Sequence, residues 1–200
     1  MLGDVTEGQL DAMKTSLGCC DRLTLLVNDL FDAARVETGK LELVAQSTDM
    51  VELLTNEIAV QRPWAREHEL TLELHIEAPL PNCEVDAMRI RQVLANLVRN
   101  AVKFTEVGGC IDVSANYLKA DGCLEIRVED NGYGIASEHA EFIFDRLYQC
   151  DPQGQHSQNG MGIGLYLCSQ NVHQHSGTIT VDSVLGEGSV FSFTLPVENN

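Results

Sequence analysis

Positive charge is scarce in this chain: 13 Lys and Arg stand against 30 Asp and Glu, a formal charge of −17. A chain this acidic has no long-range attraction for nucleic acid or an anionic membrane surface, and neither is expected as a partner. A polyanionic ligand would have to be held by local donors and a metal, against the overall field. No apolar run approaches the length of a membrane span, and the first residues carry no signal-peptide pattern. The seven cysteines are an odd number and lack the spacing of metal ligands. They fit a reducing, cytoplasmic setting, which is expected here, better than a disulfide framework. Internal repeats are absent, and so is the Walker G-K-S/T signature of P-loop nucleotide folds.

What remains is enough for a globular fold. The chain has 200 residues and is 44% hydrophobic, which suits one ordinary domain with an appendage. Its most informative stretch is residues 86–105, DAMRIRQVLANLVRNAVKFT. On a helical projection Ile90, Val93, Leu94, Leu97, Val98, Ala101 and Phe104 form one broad apolar face, and Gln92, Asn96, Asn100 and Lys103 share another arc. Two carboxamides one turn apart are unusual on a solvated helix. Their oxygens are hard ligands suited to Mg²⁺, and the adjacent Lys103 is suited to phosphate oxygens.

Residues 6–37 lack proline and repeat apolar positions at spacings of three and four: Leu10, Met13, Leu17, Cys20, Thr24, Val27, Phe31 and Ala34. This predicts a long bundle helix that needs a partner helix or a second subunit. Gly39 ends it, and 41–44 reads as an extended connector. Ser47-Thr48-Asp49 predicts the cap of a helix over 50–67, which Pro63 bends or ends. Residues 70–76 alternate as a half-buried strand with His75 on its polar phase, and a brief strand over 83–85 leads into the amide helix. Strands over 111–117 and 124–128 follow as a hairpin. A short helix from Ser137 runs to the aromatic cluster Phe142, Phe144 and Tyr148. Then come an aperiodic polar loop over 149–160, a helix to about His175, and a last hairpin over 178–182 and 189–195. The expected fold class is α+β: a mixed, mostly antiparallel sheet with helices on one face, preceded by one bundle helix.

Three glycine motifs accompany the amide helix. Asp130-x-Gly132-x-Gly134 ends a strand, where the Asp can accept from an exocyclic amine while the glycines admit a flat base. Gly160-x-Gly162-x-Gly164 opens a helix, where backbone N–H groups converge on phosphate. Its spacing, and the loop before it, differ from a dinucleotide-binding fingerprint. Gly186-x-Gly188 splits the final hairpin.

Taken in order, the amide helix, D-x-G-x-G, the Phe144 cluster, G-x-G-x-G and G-x-G resemble the N, G1, F, G2 and G3 boxes of the histidine kinase ATP-binding domain. This is the GHKL superfamily shared with gyrase, Hsp90 and MutL. Within it, Asn96-Leu-x-x-Asn100-Ala-x-Lys103-Phe104-Thr105 looks like the kinase branch. Residues 28–40 resemble the end of the second helix of the dimerisation and phosphoacceptor hairpin. The resemblance implies a two-layer α/β sandwich over 41–200, with 1–40 as part of that hairpin and ATP between the amide helix and a lid. Asn100 would be the principal Mg²⁺ ligand with Asn96 beside it, Lys103 would reach phosphate, and Asp130 would read adenine. Phe104, Gly132, Gly134, Ile135, Phe144, Gly160, Gly162, Gly164, Leu165 and Ser189 would shape the pocket. Gln92 stands where related ATPases carry a Glu that activates water; as a poor base it favours transfer to histidine over hydrolysis. The implied partners are an acceptor-histidine hairpin of the same parent protein, a response-regulator receiver domain and a second copy in a homodimer. The resemblance is compatible with a parent protein anchored to a membrane.

The chain also departs from the pattern. Its six histidines, His68, His75, His139, His156, His173 and His175, all lie outside the bundle helix, so the acceptor is expected outside this chain. The chain is expected to begin between the two hairpin helices, as a fragment of a larger sensor kinase. Leu147 stands where a second Phe is common, and Gln149 near where many relatives place an Arg that aids transfer. A second reading is therefore a nucleotide-binding regulatory module of kinase ancestry that transfers weakly or not at all. A third, a helical docking module without nucleotide, leaves the amide arc and glycine motifs unexplained.

Overall fold

The computed structural model describes residues 6–38, 42–77, 79–150 and 161–197. It divides into two compact units, Met1–Leu41 and Glu42–Asn200. The first is built on α1 (Glu7–Glu37), opened by a reciprocal capping box in which Thr6 Oγ1 accepts from Gln9 N–H and Gln9 Oε1 accepts from Thr6 N–H. Gly39 lies outside the described residues. Leu10, Met13, Leu17, Leu23, Val27, Leu30 and Phe31 are exposed along α1.

The second unit contains β1 (Gln46–Thr48), α2 (Met50–Glu67), β2 (Thr71–Ile76), β3 (Cys83–Val85), α3 (Ala87–Phe104), β4 (Cys110–Leu118), β5 (Cys123–Asp130), α4 (Ser137–Ala140), α5 (Gly164–Gln174), β6 (Ile179–Val184) and β7 (Gly188–Pro196). Five strands form a sheet in the order β2-β4-β5-β7-β6, parallel between β2 and β4 and antiparallel elsewhere. The sheet is thus mixed and mostly antiparallel, as the strand and hairpin pattern predicts. Period-two alternation buries Leu72, Ile111, Val113, Leu124, Ile126, Val128, Phe191 and Phe193 on one face. Glu73, His75, Arg127 and Glu129 stay exposed on the other. The core lies between that inner face and α2, α3 and α5, with Leu53, Leu54, Ile58, Leu94, Leu97, Cys168 and Val172 supplying the helical side.

Two local expectations need correction. The sequence Ser47-Thr48 reads as part of a helix cap, but only Asp49 caps α2, its carboxylate accepting from Glu52 N–H at 3.0 Å. Gln46–Thr48 instead pairs antiparallel with β3, a strand that exists because a distant segment supplies its hydrogen bonds. The helix from Ser137 ends at Ala140, before the aromatic cluster. Pro63 does not end α2, which continues to Glu67. His75, on the polar phase of β2, meets Asp112 at 3.0 Å on the outer face.

Candidate functional site: a cleft between the amide helix and a glycine-opened helix

Asp86 starts α3. Its Oδ1 accepts from Met88 N–H at 3.1 Å and Arg89 N–H at 3.3 Å, and its Oδ2 from Val44 N–H at 3.2 Å. Ile90, Val93, Leu94, Leu97, Val98 and Ala101 are buried, as the helical projection requires. Phe104, placed on the same face, is only half-buried because α3 ends there and the core does not extend beyond its last turn.

The polar arc of α3 faces the start of α5. The site that a Cβ on Gly164 would occupy lies 3.8 Å from Asn96 Cγ and Nδ2. Asn96 Nδ2 is the buried side-chain polar atom without a hydrogen-bond partner among the described residues. An orphaned amide is costly unless a ligand completes it. The cap of α5, Ile163, offers no side-chain acceptor, so the first N–H groups of an eleven-residue helix lack a side-chain cap beside that amide. Asn100 and Lys103 are half-buried further along the arc, with Lys103 Nζ 4.5 Å above the Phe104 ring. Gln92, one turn before Asn96, accepts from Arg89 Nη1 at 3.1 Å.

Asp130 ends β5 with 7% of its surface exposed. Gly132 N–H donates to its Oδ1 at 2.9 Å. Burial pushes this carboxyl up to about 6, and the Gly132 and Ser189 backbone donors only partly offset that push. The glycines are required sterically. A Cβ on Gly132 would strike the Phe104 carbonyl, and one on Gly134 (φ +66°) the Val184 carbonyl. The segment after Asp130 is therefore laid directly on the end of α3 and on the last hairpin. Tyr133 N–H donates to Phe104 O at 3.0 Å, and Ile135 N–H to Ser183 Oγ at 2.7 Å. Ser189 Oγ lies 3.0 Å from Ser183 Oγ.

Gly162 (φ +67°) packs on the backbone of Leu147 and Tyr148, and Leu147 N–H donates to Gly162 O at 2.9 Å. Phe144 meets Phe191 edge to face at 6.3 Å, which places it on the core wall. Ile135 and Leu165 pack against the same core. Gly160 and His156 lie outside the described residues. Asn96 and Gly164 thus come together, as do Phe104, Asp130, Gly132 and Ser189. Sequence reasoning missed Ser183, which ties Ile135 and Ser189 to the last hairpin; a serine on an alternating strand gives no signal of that role.

Comparison with known proteins identifies the family. Residues 85–199 match the model of the histidine kinase-, DNA gyrase B- and HSP90-like ATPases. The adaptive-response sensory kinase SasA of Synechococcus sp. (strain JA-3-3Ab) is 35% identical over 88% of this chain and 46% of its own. The alginate biosynthesis sensor protein KinB of Pseudomonas aeruginosa is 37% identical over 88% of this chain and 29% of its own. The chain therefore spans less than half the length of these relatives. Among solved structures, full-length ShkA in complex with AMPPNP superposes with a TM-score of 0.82 at 29% identity, covering 99% of this chain and 41% of that one. The catalytic domain of histidine kinase ThkA gives 0.65 at 25% identity, over 78% of this chain and 96% of that one. With both motif order and fold in agreement, this chain belongs to the family of histidine kinase-, DNA gyrase B- and HSP90-like ATPases, and the relatives named here are sensor kinases.

Proposed function

We propose that this chain is the ATP-binding catalytic region of a two-component sensor histidine kinase, holding Mg-ATP and donating its γ-phosphoryl group to a histidine outside the chain. The observation that carries the reading is the orphaned Asn96 amide beside the α5 N-terminus, whose cap residue offers no side-chain hydrogen bond. That pairing has the donor chemistry of a phosphate site. The carboxamide oxygens of Asn100 and Asn96 suit Mg²⁺, which takes oxygen donors and substrate phosphates together. When bound, Mg²⁺ supplies charge neutralisation between the phosphates. Lys103 offers a point charge to phosphate oxygens, Asp130 an acceptor for the adenine amine, and Gly132 and Gly134 a floor without side chains.

The chemistry asked of these residues is positioning and electrostatic stabilisation. An acceptor imidazole nitrogen forms the new P–N bond as the bond between the γ-phosphorus and its bridging oxygen breaks, and ADP departs. Gln92 is a poor base and already bonded to Arg89, which suits transfer to histidine better than activation of water. In this reading α1 is the second helix of a dimerisation hairpin, and a receiver domain takes the phosphoryl group onward. A structure of histidine kinase ThkA with the response regulator TrrA has the same fold as this chain, at 22% identity.

Calorimetric titration of ATP with and without Mg²⁺ tests the site. Wild type should bind, Mg²⁺ should strengthen binding, and Asn100→Ala should weaken it about tenfold or more, the scale of one charge-assisted contact. Adding a histidine-bearing upstream hairpin should then give acid-labile phosphate. Binding without such phosphate would favour the regulatory module, for which the absent Phe at Leu147 and the Gln149 substitution speak. Absence of binding would reject both readings.

A further inference from the structure

His175 caps α5 and is buried, with 7% of its surface exposed. Both of its ring nitrogens are engaged. Nδ1 donates to Asn171 O, in the last turn of α5, at 2.7 Å, and Nε2 accepts from Asp86 N–H, at the start of α3, at 3.0 Å. The imidazole is thereby fixed as the Nδ1–H tautomer and spans the two helices. Further along, Cys168 Sγ meets Val93 O at 3.7 Å, and Gly164 faces Asn96. The three contacts rise along α3 as they descend along α5, so the helices run antiparallel with a single register. Cys168 gives only a weak thiol bond. The firmer of these two polar contacts is that of His175, at the end opposite the phosphate-binding termini.

We propose that His175 is a positioning residue for nucleotide phosphates: by pinning the C-terminus of α5 to the N-cap of α3, it sets where the α5 N-terminus sits relative to Asn96. A helix is a stiff rod, so axial slip released at one end is transmitted to the other. The adenine side, built from β5, the segment after Asp130 and the last hairpin, does not pass through this tie. The inference rests on the nucleotide reading above and predicts a split within it. Phosphate binding depends on His175, and adenine binding does not.

Two conservative variants isolate the interhelical bond. The amide of His175→Asn reaches only as far as Nδ1 and keeps the local donor to Asn171 O. The amide of His175→Gln reaches the Nε2 position and keeps an acceptor for Asp86 N–H. Titrations of the full chain with Mg-ATP and with adenosine should show His175→Asn weakening Mg-ATP about tenfold with adenosine unchanged, while His175→Gln restores most of the loss. Reciprocity gives a check in wild type: Mg-ATP, but not adenosine, should slow hydrogen exchange at the Asp86 amide. Equal loss of both ligands in His175→Asn, no loss of either, or Asp86 exchange indifferent to Mg-ATP would overturn the proposal. Failure of wild type to bind any nucleotide would instead remove the reading beneath it. Should His175→Asn not fold, the exchange measurement on wild type decides alone.

Discussion

Asp130 is a buried carboxyl that costs the empty fold stability, and in the proposed site it faces the ligand. Its carboxyl is raised from the ordinary 3.8 to about 6, chiefly because burial disfavours the charged form. A raised carboxyl binds its proton more tightly folded than unfolded, so the native state holds the extra proton between about pH 4 and 6. Stability from this group is therefore present at low pH and falls as pH rises through that window. Above about pH 6 the full penalty remains, on the order of 3 kcal/mol or less. Without nucleotide, Asp130→Asn should flatten this part of the pH–stability curve and raise the unfolding free energy near pH 7.5, measured by urea denaturation. In the proposed site the ionised carboxylate accepts from the adenine amine more strongly than the protonated carboxyl does. Wild-type affinity for adenosine, a probe without phosphate titration, should therefore fall as pH drops below about 6. Asp130→Asn should bind weakly throughout. An adenosine affinity flat from pH 5 to 8 in wild type would mean that Asp130 does not read the base.

At the scale of elements, α3 is held by its cap as much as by its apolar face. Asp86 uses one carboxylate oxygen for two N–H groups of the first turn and the other for Val44 N–H, while its own N–H goes to His175. Asp86→Ala should cost about 1–2 kcal/mol in urea denaturation, the upper part of the range for an N-cap. Asp86→Asn, which caps nearly as well, should cost much less. How much the sequence discloses follows the same division between local and distant causes. Helix α3 and its arc are legible because period and cap are written in adjacent residues. Helix α2 is legible for the same reason, and Asp130, Gly132 and Gly134 are legible because a backbone that must approach Phe104 O and Val184 O admits nothing larger. Strand β1 is not legible, since only its pairing with β3 distinguishes it from a cap. The tie at His175 is not legible either. One of its bonds crosses 89 positions of sequence, and nothing local separates it from the exposed His173.

On the scale of the whole molecule, the sheet-and-helix unit buries its own core, whereas the large apolar side chains Leu10, Met13, Leu17, Leu23, Val27, Leu30 and Phe31 of α1 are exposed. Thirty-one residues exceed what an isolated helix needs to be marginal in water, but packing of an apolar stripe is what makes such helices persist. The exposed Leu10, Met13, Leu17, Cys20, Thr24, Val27 and Phe31 keep alternating spacings of three and four, the seam along which a second helix fits. A charge of −17 opposes self-association at long range and is screened within about 8 Å at physiological salt. Association should therefore strengthen with salt, unlike the weakening expected of an electrostatic pair. Sedimentation equilibrium should show the mass of this chain rising toward that of two chains with concentration, more readily at 0.5 M salt than at about 0.01 M, where the Debye length is about 30 Å. The double substitution Leu17→Glu with Phe31→Glu should hold it at one chain, with thermal unfolding of the ATP-binding unit unchanged. A wild-type mass that stays at one chain at every concentration and salt would reject a second copy of this chain as the partner of the α1 stripe.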